Sequence, residues 1–249
     1  MIKSISIYFI SLIFCSCLTL KKNQFVIYLA GDSTMAAKEE NRRPETGWGE
    51  QLSSFFGPEV RIENHAKNGR SSKSFIYEGL WDSLYTKLEK GDFVFIQFGH
   101  NDSSKSKGDR YSSPEEYRKN LVKYLLDTRA KHASPILFTP VVRRRFDENG
   151  QFYDTHGVYP DVVRSVAKEY KVPLIDLQQK TALMLIEFGE TQSKELFLWV
   201  GKGHPNYPDG VEDNTHFSPV GAKKIADLTI EEILTQKLKV RRFLKKEYR

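Results

Sequence analysis

Phe25-Val26-Ile27-Tyr28-Leu29-Ala30-Gly31-Asp32-Ser33-Thr34 is the stretch from which the fold is read. An apolar run of this length, rich in β-branched and aromatic side chains, makes a strand buried on both faces. Gly31 at its end lets the backbone turn sharply into Asp32-Ser33-Thr34. A serine hydroxyl is thereby set at the mouth of a sheet. Asn64-His-Ala-Lys-Asn-Gly69 and Gly99-His-Asn-Asp102 also follow strand-like runs, and Asp213-Asn-Thr-His216 lies near the end of the chain.

Outward from this strand, strand patterns alternate with helical ones. Trp48 to Phe56 reads as an amphipathic helix and Val60 to Glu63 as a short second strand. Leu80, Leu84 and Leu88 share a helix face that stops at Gly91. Asp92 to Phe98 is apolar on both faces, as a central parallel strand must be. Ser113 caps a long helix begun by Pro114, with Glu115 and Glu116 in its first turn. Ile136 to Thr139 is a fourth strand, Val162 to Tyr170 a helix, and Val172 to Asp176 a short fifth strand whose proline suits an edge. Helices resume at Thr181 to Phe188 and close the chain with Pro219 to Leu238. Such alternation predicts a doubly wound parallel sheet, in which ligands bind at the carboxyl ends of the strands. Three of the four polar stretches are expected there.

Upstream, Lys3, the ten-residue apolar core Ile5 to Phe14 and the small Cys15-Ser16-Cys17 have the form of an export signal over residues 1–17, too short to span a bilayer. Cys17 after Ser16 also fits a lipoprotein cleavage site, although Phe14 departs from the usual aliphatic residue. Lipid attachment at Cys17 and plain secretion, periplasmic or at the cell surface, are both left open. Both cysteines of the chain lie in this segment, so the domain expected over residues 24–238 has none for disulfides, thiolate catalysis or thiolate metal sites.

The net charge of +6 does not indicate a nucleic-acid partner, because the excess sits in the tail: residues 237–249 carry seven cations against Glu247 alone. Residues 239–249 are read as a solvated basic tail, with contact to an anionic surface as the sharper alternative. Inside the body, Arg143-Arg144-Arg145 follows the fourth strand, where an acidic substrate would meet cations.

A serine hydroxyl attacks poorly until a base accepts its proton, and that base needs a third group to hold its tautomer. His216, with Asp213 three positions earlier on one helical or turn segment, meets that need for Ser33. Donors must also face the oxyanion of a tetrahedral intermediate. Gly69 can bring a backbone N–H close, Asn101 can offer its side-chain amide, and Ser33 can add its own N–H. The four stretches thus read as one nucleophilic ester-cleaving site.

Gly31-Asp-Ser-Thr, Asn64-His-Ala-Lys-Asn-Gly-Arg-Ser71, Gly99-His-Asn-Asp and Asp213-Asn-Thr-His resemble the four ordered blocks of the SGNH (GDSL-like) hydrolases, and within them the rhamnogalacturonan acetylesterase group. The resemblance runs from about Val26 to Ala222. It implies a flavodoxin-like three-layer α/β/α sandwich with a five-stranded parallel sheet. It also implies catalysis by Ser33, Asp213 and His216, an oxyanion hole of Ser33, Gly69 and Asn101, no metal or organic cofactor, and O-acetyl groups of acidic pectin as substrate.

Other residues have quieter readings. His204, in the loop before Asp213, and Arg143 are candidate substrate contacts. Asp32 is expected to hydrogen-bond the backbone of its turn, His100 to order its loop, and Asp102 to act as an anchor. Trp48 is core or pocket wall, and His65, His132 and His156 are surface or structural. Two other functions stay open: a carbohydrate-binding protein without turnover, and an acyltransferase sharing the acyl-serine. The Lys, Arg, Asn and Tyr of the motif loops, Lys67, Arg70 and Lys73 among them, weigh against a lipase or thioesterase.

Overall fold

A computed structural model describes residues 24–249; the segment expected to be an export signal, with Cys17, lies outside the described residues. Its elements run β1 (Phe25–Gly31), α1 (Trp48–Gln51), β2 (Val60–Asn64), α2 (Ser72–Tyr77), α3 (Leu80–Tyr85), β3 (Phe93–Gln97), α4 (Pro114–Ala130) and β4 (Ser134–Phe138). They continue with α5 (Tyr159–Tyr170), β5 (Leu174–Ile175), α6 (Leu177–Gln192), β6 (Phe197–Val200), β7 (Val211–Phe217) and α7 (Pro219–Thr235).

Strands β1 to β5 form one parallel sheet in the order β2-β1-β3-β4-β5, with β5 at the expected edge. Along β1 the side chains divide by alternation: Val26, Tyr28 and Ala30 enter one core with Tyr117, Leu121 and Tyr124 of α4 and Val163 of α5. Ile27 and Leu29 enter the other, with Trp48 of α1, Leu185 of α6 and Ile225 and Ile233 of α7. Two cores on opposite faces of one sheet make the predicted three-layer α/β/α sandwich.

Three local expectations change, and one element is added. The helix over Trp48 to Phe56 stops after Gln51 and continues as the 3₁₀ turn Leu52–Ser54. The last helix ends at Thr235. Residues 239–249 are not a free tail: Val240, Phe243 and Leu244 are buried, and Lys245 N donates to Phe55 O at 2.9 Å, so apolar anchors interleaved with the cations hold this segment on the domain. Finally, β6 and β7 form an antiparallel hairpin beyond the main sheet. The apolar Phe197-Leu-Trp-Val200 before Gly201 was a strand signal of the ordinary kind.

The turn after β1 also has a different cause from the one expected. Gly31 does not adopt a left-handed φ. A Cβ there would lie 2.9 Å from the Gln97 carbonyl oxygen of β3, so close strand approach, not backbone reach, requires the glycine.

Asp102 is the expected anchor. Its carboxylate accepts from Ser72 N at 3.1 Å and from Ser72 Oγ at 2.6 Å, binding the start of α2 to the loop after β3. Complete burial outweighs these donors and pushes the carboxyl up to about 6. Because the folded value lies above the unfolded one, this group opposes folding once ionised and ceases to do so as pH falls through 6 toward 4. Urea unfolding at pH 7 and pH 4.5 should therefore show wild type gaining on Asp102→Asn by about 2 kcal/mol at the lower pH. Parallel curves for the two proteins would contradict this.

Candidate active site

The carboxyl ends of β1, β2 and β3 bring three of the polar stretches together. Ser33 follows β1 in a turn that Asp32 organises: Asp32 Oδ1 accepts from Thr34 N at 3.0 Å and from Thr34 Oγ1 at 2.8 Å. Gly69 follows β2 with φ +76°, a left-handed conformation that suits glycine. Asn101 follows β3 and donates one amide hydrogen to Arg70 O at 3.0 Å, which leaves its second hydrogen for a ligand. Among the described residues, the backbone N–H groups of Ser33 and Gly69 donate to no other group. Unpaired amides at the edge of a cleft are what an oxyanion hole requires.

The hairpin delivers the fourth stretch. Phe197 pairs with Phe217 but Leu198 with Asp213, so Asn214, Thr215 and His216 are extruded from β7. Strand alternation would set positions three apart on opposite faces; the extrusion brings Asp213 and His216 back together. Asp213 Oδ1 accepts from Thr215 N at 2.6 Å and His216 N at 3.0 Å, and Oδ2 lies 2.7 Å from His216 Nδ1. The helical or turn segment expected here is therefore an aspartate-closed turn within a strand. Burial works to raise the Asp213 carboxyl, but the His216 ring, the charge that ring can carry and the two amides outweigh it and hold the value at about 2. Asp213 is thus ionised at all physiological pH. His216 Nε2 stands 2.9 Å from Ser33 Oγ, completing a chain from carboxylate to imidazole to hydroxyl.

Arg144 supports the extruded turn. Its N–H donates to Asn214 O at 2.8 Å, its guanidinium donates to Asn214 Oδ1 at 3.0 Å and also to Ser193 Oγ and Glu190 O, and it lies over the Trp199 ring. The three arginines therefore divide. Arg144 is buried in the scaffold, whereas Arg143 and Arg145 line a cavity of about 410 Å³ with Ser33, His100, Asn101, Ser103, Ser104, Lys107, Thr155, Thr215 and His216. Arg143 donates to His100 O at 2.9 Å and Thr155 Oγ1 at 2.8 Å.

His204 does not line this cavity. Its ring accepts from Asn206 N at 3.1 Å inside the β6–β7 loop, and that loop binds residues 40–43 through Asn206 and Tyr207. Trp48 is core: it is fully buried and donates to Gln97 Oε1 at 2.9 Å. His156, expected at the surface or in a structural role, is buried behind the cavity. It lies 3.2 Å from His100 Nδ1 and 2.7 Å from Asp154 Oδ1. Burial, with Arg143 close by, pushes His100 well below the usual histidine range, so it orders its loop as a neutral ring. Lys38 and Glu45, buried beneath Ser33, escaped sequence reading because charged residues in a charge-rich loop ordinarily face solvent.

A hydroxyl activated through imidazole by an ionised carboxylate, beside free amides at the carboxyl edge of an α/β/α sandwich, defines an enzyme that cleaves esters. The chain belongs to the GDSL-like lipase/acylhydrolase family, whose model matches residues 29–224, and it is a carboxylic ester hydrolase. It is 42% identical over 213 residues to the rhamnogalacturonan acetylesterase RhgT of Bacillus subtilis (strain 168), covering 85% of this chain and 90% of that one. It is 36% identical over 208 residues to the probable rhamnogalacturonan acetylesterase YesY of the same strain, covering 83% and 91%. The crystal structure of the Bacillus subtilis protein YxiM shares the fold, with TM-score 0.74 and 23% identity. That match covers 87% of this chain and 58% of that one.

Replacing Asp213 with Asn keeps an oxygen for the turn but removes the charge that holds the imidazole. The variant should unfold close to the wild-type temperature while kcat on an aryl acetate falls on the order of 10²–10⁴-fold. A fall in unfolding temperature large enough to explain the lost activity would refute this division of roles.

Proposed function

We propose that this protein is a carbohydrate acetylesterase acting on an acidic, O-acetylated polysaccharide, with acetylated rhamnogalacturonan as its substrate. The observation that carries the proposal is the lining of the cavity at Ser33. Among the described residues, Lys107, Arg143 and Arg145 face it, no carboxylate does, and every one that lines it is polar or charged. Such a wall attracts a polyanion and offers no apolar channel for a long acyl chain. The two Bacillus subtilis relatives named as rhamnogalacturonan acetylesterases support the same substrate class.

In this reading, His216 takes the proton as Ser33 Oγ attacks the acetyl carbonyl. The amides of Ser33 and Gly69 and the free amide hydrogen of Asn101 receive the negative oxygen. Collapse expels the sugar hydroxyl, which takes the proton back from His216. Water, deprotonated by the same ring, then releases acetate from the acyl-serine. Export to a compartment holding polysaccharide belongs to the proposal and is supported by the apolar run before Cys17.

Acetate release from acetylated rhamnogalacturonan, acetylated xylan and an aryl acetate tests it, with Ser33→Ala as control. Wild type should prefer the pectin, and Ser33→Ala should release nothing. Faster release from xylan, or faster cleavage of long-chain esters than acetyl esters, would defeat the substrate assignment. Arg145→Ala should raise KM for the acidic polymer about tenfold, the equivalent of one charge-assisted contact, and raise KM for the uncharged aryl acetate by much less.

A further inference from the structure

We infer that Lys38 is a positioning residue that sets the oxyanion hole, its buried ammonium locking the Ser33 carbonyl to the Asn68 side chain and so fixing the Ser33 amide relative to the Gly69 amide. This rests on the acyl-serine reading above. Lys38 Nζ donates to Ser33 O at 2.5 Å and to Asn68 Oδ1 at 2.7 Å, and it pairs with Glu45 Oε1 at 2.8 Å. The side chains of Lys38 and Glu45 are 0% exposed.

Ser33 and Asn68 lie on separate loops, after β1 and β2. The backbone joins the two segments at Lys67 N, which donates to Gly31 O at 3.0 Å. Asn64 Nδ2 at the end of β2 also donates to Met35 O at 2.9 Å, and the ammonium links Ser33 itself to Asn68, the residue before Gly69. A third contact holds the bridge in place. Glu45 Oε2 also binds Arg42 at 2.7 Å, and the Arg42 and Arg43 carbonyls accept from Tyr207 and Asn206 of the loop leading to β7. One buried cation thus ties the serine turn, the glycine loop and, through Glu45, the hairpin carrying His216.

A buried ion pair adds little net stability, since desolvation offsets the attraction. Geometry is another matter. Donors displaced by about 1 Å from a developing oxyanion cost on the order of 10²-fold in rate.

The test compares wild type, Lys38→Met, Asn68→Ala and Ser33→Ala. The readouts are kcat and KM on an aryl acetate, inhibition by methylboronic acid, which forms a tetrahedral adduct on serine, inhibition by planar acetate, and thermal unfolding. Lys38→Met should lose on the order of 10²-fold in kcat and in boronate affinity, with KM and acetate inhibition within about threefold of wild type. Asn68→Ala, at an exposed residue that leaves the ion pair intact, should lose about tenfold in the same two quantities and remain folded. It carries the test if Lys38→Met does not fold. Wild-type kcat and boronate affinity in a folded variant overturn the role. So does an equal loss across boronate, acetate and KM, which would mark a purely structural residue. Turnover surviving in Ser33→Ala overturns the acyl-serine reading itself, and the role of Lys38 with it.

Discussion

Burial of β1 on both faces and both edges is the constraint from which the rest follows. Its ladder groups are spent on β2 and β3, and its side chains on two cores, so every neighbour must come to it. The strand order reverses beside it, and the crevice at such a reversal opens at the carboxyl ends. Ser33, Gly69 and Asn101 lie in the loops just past that edge, where the backbone is free to make something other than sheet.

A second consequence is electrostatic. Charges close under this edge are not left alone. Asp102 is spread over Ser72, Lys38 over Ser33, Asn68 and Glu45, and Asp213 over three donors of its own turn. Burial shifts each group against its charge, and the partners decide the outcome: Asp213 ends low and Asp102 high. The carboxylate that must stay ionised to orient His216 is the one given the imidazole and the amides, while the one that only anchors α2 is left with Ser72.

The small hairpin solves a problem that the parallel sheet cannot. An imidazole that meets Ser33 must approach from outside the layer of strands, and a regular strand would turn Asp213 and His216 to opposite sides. Extruding Asn214 to His216, with Arg144 pinning Asn214, produces the needed turn without leaving the strand pair. Arg144 shows how a triplet of like charges can mislead, because extended backbone sends its middle member inward and its outer members to the cavity.

Local pattern alone determined the alternation of strands and helices, the both-face burial of β1 and β3, the Ser113 cap, the edge position of β5 and the identity of the four polar stretches. All of these depend on neighbours a few residues apart. Fold class and family were legible for the same reason. Tertiary structure decided what depends on distant partners: that Gly31 is demanded by the Gln97 carbonyl, that His204 stays out of the cavity in a loop whose Asn206 and Tyr207 brace residues 40–43, that His156 backs His100, and that residues 239–249 close the core. Lys38 is the clearest case. In sequence it is one lysine among many, and only the arrival of Asn68 from the loop after β2, with Glu45 folded back from its own loop, turns it into a buried crosslink.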